Sequence, residues 1–138
     1  MPIALTLTQG VIAEDKIDAV VERIVEAFLA RHGLAGNALM TPNVTAHVHV
    51  LPEGRTYSGG KPATGAWLET KTPSFAMADR SVLSGFLSDA TKILCEESDG
   101  ALSPDHVWSE SLHAVDGSWN LDGTAHANDE LLAKISAA

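Results

Sequence analysis

Strand, amphipathic helix, strand: this order runs through the chain twice, and few architectures accommodate it. In the first half, residues 2–9 read as a buried apolar strand closed by Gly10. Ala13 to His32 read as a helix, with Ile17, Val20, Val21, Ile24, Val25, Phe28 and Leu29 on one stripe and Gly33 as its C-terminal stop. From Val44 to Leu51 the pattern changes to alternation. Val44, Ala46, Val48 and Val50 face one way, and Thr45, His47, His49 and Leu51 the other. Turns are predicted at Pro52-Glu53-Gly54-Arg55 and at Gly59-Gly60. The second half repeats the order. Ala66 to Lys71 is a strand broken at Pro73, about Met77 to Glu97 is a helix, and His106 to Val115 is a strand after the turn Ser103-Pro104-Asp105. In each half the strands are offset by roughly 40 residues. Each half therefore predicts a right-handed parallel βαβ unit. Two such units can share one four-stranded sheet with both helices on one face, an α/β (α+β) fold. We expect a single domain over 1–138, with halves at about 2–60 and 65–115 and a C-terminal turn and short helix at 116–138.

Two helices cover only one face of such a sheet. The other face, with Leu51, histidines and threonine, calls for an oligomer to bury it. In the tail, Gly117 and Gly123 flank Trp119 and predict a tight turn that sets the indole against a packed surface. Asn128-Asp129-Glu130 is expected to cap a last helix from Leu131 to Ile135. These tail pieces are candidates for contact with a neighbouring subunit.

Composition narrows the partners. The formal net charge is −9 with no basic stripe, which excludes nucleic acid as an expected partner. No apolar stretch suits a bilayer, so no membrane role is expected. With one cysteine, Cys95, and no signal-peptide pattern, a reducing cytoplasmic setting is expected.

The chemistry is read first at Pro2. If Met1 is removed, the first strand begins with a free secondary amine. Packing among apolar side chains lowers such an amine below its ordinary value of about 8. A neutral amine near pH 7 suits proton transfer at carbon. A retained Met1 would leave only an ordinary amide there. Lys71, at the end of a strand, is either a carboxylate-holding cation or a solvated lysine. Trp108 is either core or a pocket wall. Glu110, on the same face as Trp108, needs a partner in a subunit interface or serves as a second acid/base. His47 and His49 share a strand face at a spacing used by metal sites, but hydrogen-bonded histidines inside an oligomer are the favoured reading, and no metal is expected. Arg55, His113 and His126 read as ordinary residues, and Cys95 as a core residue.

Pro2-Ile3-Ala4, the strand ending at Gly10, the helix after it and Gly59-Gly60 resemble 4-oxalocrotonate tautomerase. Pro42 through Lys71, including His49, Pro52 and Gly59-Gly60, resembles the macrophage migration inhibitory factor branch of the same tautomerase superfamily. Leu102-Ser103-Pro104-Asp105-His106-Val107-Trp108 is similar to the opening of the fourth strand there, and His106-Val107-Trp108 resembles cis-3-chloroacrylic acid dehalogenase. The resemblance implies a homotrimer whose three sheets form a central barrel with the helices outside. It also implies that Pro2 lies at the base of a pocket near a subunit boundary and moves protons on a keto–enol substrate without a metal or organic cofactor. The partner residues depart from the pattern. Places that hold arginines in diacid-handling members hold Val11 and Thr45 here, and only Lys71 follows the third strand as a cation. The lysine of the migration inhibitory factor branch falls at Thr41, and its tyrosine and asparagine fall at Trp108 and Glu110.

The reading is a small-molecule tautomerase with Pro2 as catalytic base and Lys71, Trp108 and Glu110 as substrate-binding residues, acting on a small 2-keto (enol) acid. Decarboxylation or hydration on the same fold, and a non-catalytic oligomeric binding protein, are the alternatives.

Overall fold

The computed structural model describes residues 1–138. In chain order the main elements are β1 (Pro2–Thr8), α1 (Ile17–Arg31), β2 (Thr45–Leu51), the hairpin strands β3 (Tyr57–Ser58) and β4 (Lys61–Pro62), β5 (Ala66–Pro73), α2 (Arg80–Glu97) and β6 (Val107–Ala114). A second hairpin, β7 (Trp119–Leu121) and β8 (Thr124–His126), then leads into α3 (Asn128–Ser136). The four long strands form one sheet in the order β2-β1-β5-β6. β1 pairs in parallel with β2, β5 in parallel with β6, and the halves meet where β1 runs antiparallel to β5. This is the predicted pair of βαβ units in one sheet.

Alternation on the strands decides which face is covered. Ile3, Leu5 and Leu7 of β1 and Leu68, Thr70 and Thr72 of β5 are buried. Ile3, Leu5, Leu7 and Leu68 share a core with Val20, Ile24 and Phe28 of α1 and Phe86, Ala90 and Leu94 of α2. At its centre the Phe28 and Phe86 rings meet edge to face, 5.2 Å apart at 87°, an arrangement the ring quadrupoles favour. On the outer side Arg23 bridges to Glu96 and Glu97, and Arg31 to Asp89. These exposed pairs fix helix register more than they add stability.

Boundaries differ from the sequence expectation for local reasons. α2 begins at Arg80 instead of Met77, because the Asp79 carboxylate accepts from the Ser81 backbone N–H at 2.7 Å and starts the helix there. α1 begins at Ile17, after a short 3-10 turn over Glu14–Lys16. β5 continues through Pro73, which sits at the strand end opposite Ala114, where a missing N–H is tolerated. α3 is longer than expected and starts at Asn128; the Glu130 carboxylate accepts from the Ala127 N–H at 2.9 Å. Gly59 and Gly60, both with left-handed backbone, form the β3–β4 hairpin turn.

The uncovered face is ordered in rows, because in-register residues of neighbouring strands point the same way. The pairings place Thr45, Pro2, Lys71 and Leu112 in one row, with Pro2 and Lys71 one step beyond the Ile3–Thr70 pair. His47, Ala4, Glu69 and Glu110 form the next, followed by His49, Thr6, Trp67 and Trp108. No helix is long and apolar enough to cross a membrane.

Candidate active site

Pro2 stands at the start of β1, an inner strand, so neighbours on both sides fix its position. On one side Thr45 of β2 donates its backbone N–H to the Met1 carbonyl at 3.2 Å. On the other lie Lys71 of β5 and, beyond it, Leu112 of β6. Across the end of the sheet comes the β7–β8 hairpin. Its turn at Asp122-Gly123 has left-handed backbone at both residues, the geometry that folds a two-residue hairpin tightly. Trp119 thereby packs against the core and reaches Pro2. Pro2, Lys71, Leu112, His113, Trp119 and Asn120 line one cavity of about 380 Å³.

A second cavity, of about 210 Å³, adjoins Pro2 from the other side. Met1, Met40, Thr45, Leu121 and Leu131 line it, and it shares Pro2, Trp119 and Asn120 with the first. Met1 is 5% exposed. Its amine donates to the Asn43 carbonyl, and burial lowers its pKa from 8.0 to about 6.

Lys71 is exposed and makes no ion pair or hydrogen bond, whereas Lys16, Arg23 and Arg31 of the helix layer are bound to carboxylates. An unpaired cation facing a cavity keeps its charge available for an anion. The cavity thus holds three chemical elements: the start of β1, one cation, and an apolar wall from Leu112 and Trp119.

Trp108 and Glu110 lie elsewhere on the same face. Trp108 stacks on Trp67 with ring centroids 5.0 Å apart and an interplanar angle of 14°. Glu110 sits beside Glu69 across the β5–β6 pair. Together with Thr6 they line a depression of about 600 Å³ that does not include Pro2. Pro2 and Lys71 are brought together within one subunit, and Trp108 and Glu110 are not brought to them. His47 and His49 are exposed on β2, and no group of three His, Cys, Asp or Glu side chains is arranged to hold a metal ion.

Sequence reasoning missed Leu112, His113, Trp119 and Asn120 as neighbours of Pro2. The signal for Trp119 was present in its flanking glycines, but they specify a turn and not its target. His113 lines the cavity, while His126 is buried with its Nε2 unpaired.

No family model matches the chain, and no curated protein matches it. Solved structures do. Pt0534 inactivated by 2-oxo-3-pentynoate superposes with a TM-score of 0.78 at 14% identity, over 95% of this chain and 98% of that one. N1, a member of the cis-3-chloroacrylic acid dehalogenase family, gives 0.76 at 16% identity over the whole of both chains. A fused 4-OT, a symmetric trimer, gives 0.77 at 9% identity, over 92% of this chain and 96% of its own. Near-complete coverage in both directions means that the likeness spans the whole chain, and this chain shares the fold of these structures.

Proposed function

We propose that the chain is a cofactor-independent tautomerase-superfamily enzyme that isomerises a small 2-keto (enol) acid, with Pro2 as general base once Met1 is removed. One observation carries the reading: Pro2 and the unpaired Lys71 stand opposite one another and line one cavity. The neutral Pro2 nitrogen takes a proton from the carbon next to the keto group. The electron pair left behind moves onto the oxygen as an enolate, and the protonated amine then returns the proton at oxygen or at a conjugated carbon. Lys71 holds the substrate carboxylate and opposes the developing charge. Leu112 and Trp119 form the apolar side of the cavity beside the amine.

The working assembly we propose is a homotrimer, as in the fused 4-OT structure. It would turn the uncovered sheet face inward, so that Trp108 and Glu110 line the barrel. Glu110 there could activate water for a hydration reaction on the same scaffold. A second reading, a non-catalytic binding protein, is favoured by one feature: the places of carboxylate-holding arginines are filled by Val11 and Thr45 here.

The test is enol-to-keto conversion of phenylenolpyruvate by protein whose mass establishes a free Pro2, beside Pro2→Ala. Loss of about 10²- to 10⁴-fold in the variant is the scale expected for removing a positioned base. Equal rates in both proteins would remove Pro2 from the reaction and favour the binding-protein reading.

A further inference from the structure

His32 ends α1 and meets two backbone carbonyls at once. It is the C-terminal cap residue of that helix and is half-buried, with its ring 4.4 Å from the Phe28 ring. Its Nδ1 lies 2.8 Å from the Phe28 carbonyl, one turn back in the same helix. Its Nε2 lies 2.6 Å from the Ala76 carbonyl, in the turn that joins β5 to α2. A carbonyl oxygen only accepts, so each contact needs a proton on the nitrogen that faces it. A neutral imidazole carries one such proton and an imidazolium two. Either neutral tautomer therefore sets a bare nitrogen lone pair against an oxygen at hydrogen-bond distance. The imidazolium satisfies both carbonyls. A cation in the last turn of a helix also opposes the negative end of the helix dipole.

The turn that contains Ala76 has other bonds of its own. Ala76 donates its N–H to the Pro73 carbonyl, and Ala78 donates to that of Phe75. At the start of α3 the Asn128 side-chain amide donates to the Ser74 hydroxyl at 2.8 Å. The charged residues of the segments that meet here are engaged elsewhere. Arg31, beside His32 on α1, pairs with Asp89 of α2. Asp79, the one ionisable residue of 73–79, accepts from Ser81. Residues 33–40 leave the helix without an ionisable group. Arg80 begins α2. No ion pair joins any of these groups to His32, which leaves the two carbonyls as the partners of its ring protons.

We propose that His32 is a proton-dependent clasp: with two protons its ring ties the end of α1 to the β5–α2 turn, and with one it releases that tie. The clasp is independent of the chemistry at Pro2. Through the ordinary imidazole range, around 6.5, the folded chain binds more protons at this residue than the unfolded chain. This contribution to stability is therefore complete at low pH and lost as pH rises.

The experiment compares urea titrations of the full chain and of His32→Gln between pH 5 and pH 8, where an imidazole changes charge. His32→Gln keeps a hydrogen-bonding side chain that does not titrate. The Met1 amine and the other histidines are common to both proteins and cancel in the comparison. The wild-type folding constant should fall about tenfold relative to the variant's across that range, the equivalent of one charge-assisted hydrogen bond. Hydrogen exchange of the wild type supplies a readout that needs no substitution. Protection factors of the Ala76 and Ala78 amides, which remove the intrinsic effect of pH on exchange, should also fall about tenfold as the turn opens locally. A variant that fails to fold leaves this second measurement to decide. Parallel pH profiles for the two proteins, a folding constant that rises relative to the variant's, or constant protection factors in the turn would each overturn the proposal.

Discussion

At the scale of single residues, the site depends on two charges set by their surroundings. Burial desolvates the Met1 amine and lowers its pKa to about 6. In a chain that keeps Met1, the unfolded amine ionises near 8.0 and the folded one near 6. The unfolded state thus binds more protons between those values, and stability rises with pH across that window. Unfolding free energies from urea titrations at pH 6 and pH 8 should differ by about 1 kcal/mol, less than full linkage because the amine retains solvent contact. Acetylating the amine should abolish the difference. Lys71 is the other charge. Lys71→Ala should raise KM for a 2-keto acid about tenfold with a smaller change in kcat, since it removes a charge-assisted contact worth ~1.5 kcal/mol. Lys71→Arg should restore most of the binding, and steady-state kinetics of the three proteins checks this. Pro2 and Lys71 were both candidates from the sequence, but that they line one cavity follows only from laying β5 antiparallel to β1.

At the scale of elements, the helices and strands follow from periodicity, and their junctions follow from close contacts. Gly65, just before β5, illustrates the second point. It is buried, donates its N–H to the Thr8 hydroxyl and accepts from the Thr8 N–H, both at 3.0 Å. A β-carbon there would strike the Trp108 ring and lie 2.8 Å from the His106 carbonyl. Gly65→Ala should therefore destabilise the chain by about 1–3 kcal/mol, the range for overpacking, in a denaturant titration. Phe86→Ala should cost about 3–5 kcal/mol in the same measurement, because it empties the centre of the α1–α2 contact. The helical stripe announces Phe86 as core. Nothing in the sequence announces Gly65, since its constraint comes from a tryptophan more than forty positions away in the chain.

At the scale of the whole molecule, the order β2-β1-β5-β6 leaves β2 and β6 as open edges, and open edges invite pairing. On the uncovered face these edges carry unlike side chains: His47 and His49 on β2, Trp108 and Glu110 on β6. If the proposed trimer pairs a β2 edge with a neighbour's β6 edge, the acidic and imidazole sides meet. Sedimentation equilibrium should give three times the 14.5 kDa chain mass. Glu110→Lys should weaken the assembly by about 1 kcal/mol per interface, the upper range for a partly exposed charge pair. A variant that remained a trimer of unchanged stability would place Glu110 outside the interface.

The sequence by itself determined the two βαβ units, the alternating faces of β2, and the unusual position of Pro2. These are properties of local periodicity, which the backbone geometry of helix and strand converts directly into faces. Only the tertiary structure decided which residues surround Pro2. The antiparallel register of β1 on β5 brought in Lys71, and the Asp122-Gly123 turn folded Trp119 and Asn120 over the end of the sheet. The same register kept Trp108 and Glu110 in the rows beyond. Register and hairpin direction are set by the sum of many contacts across the chain, so no single motif records them.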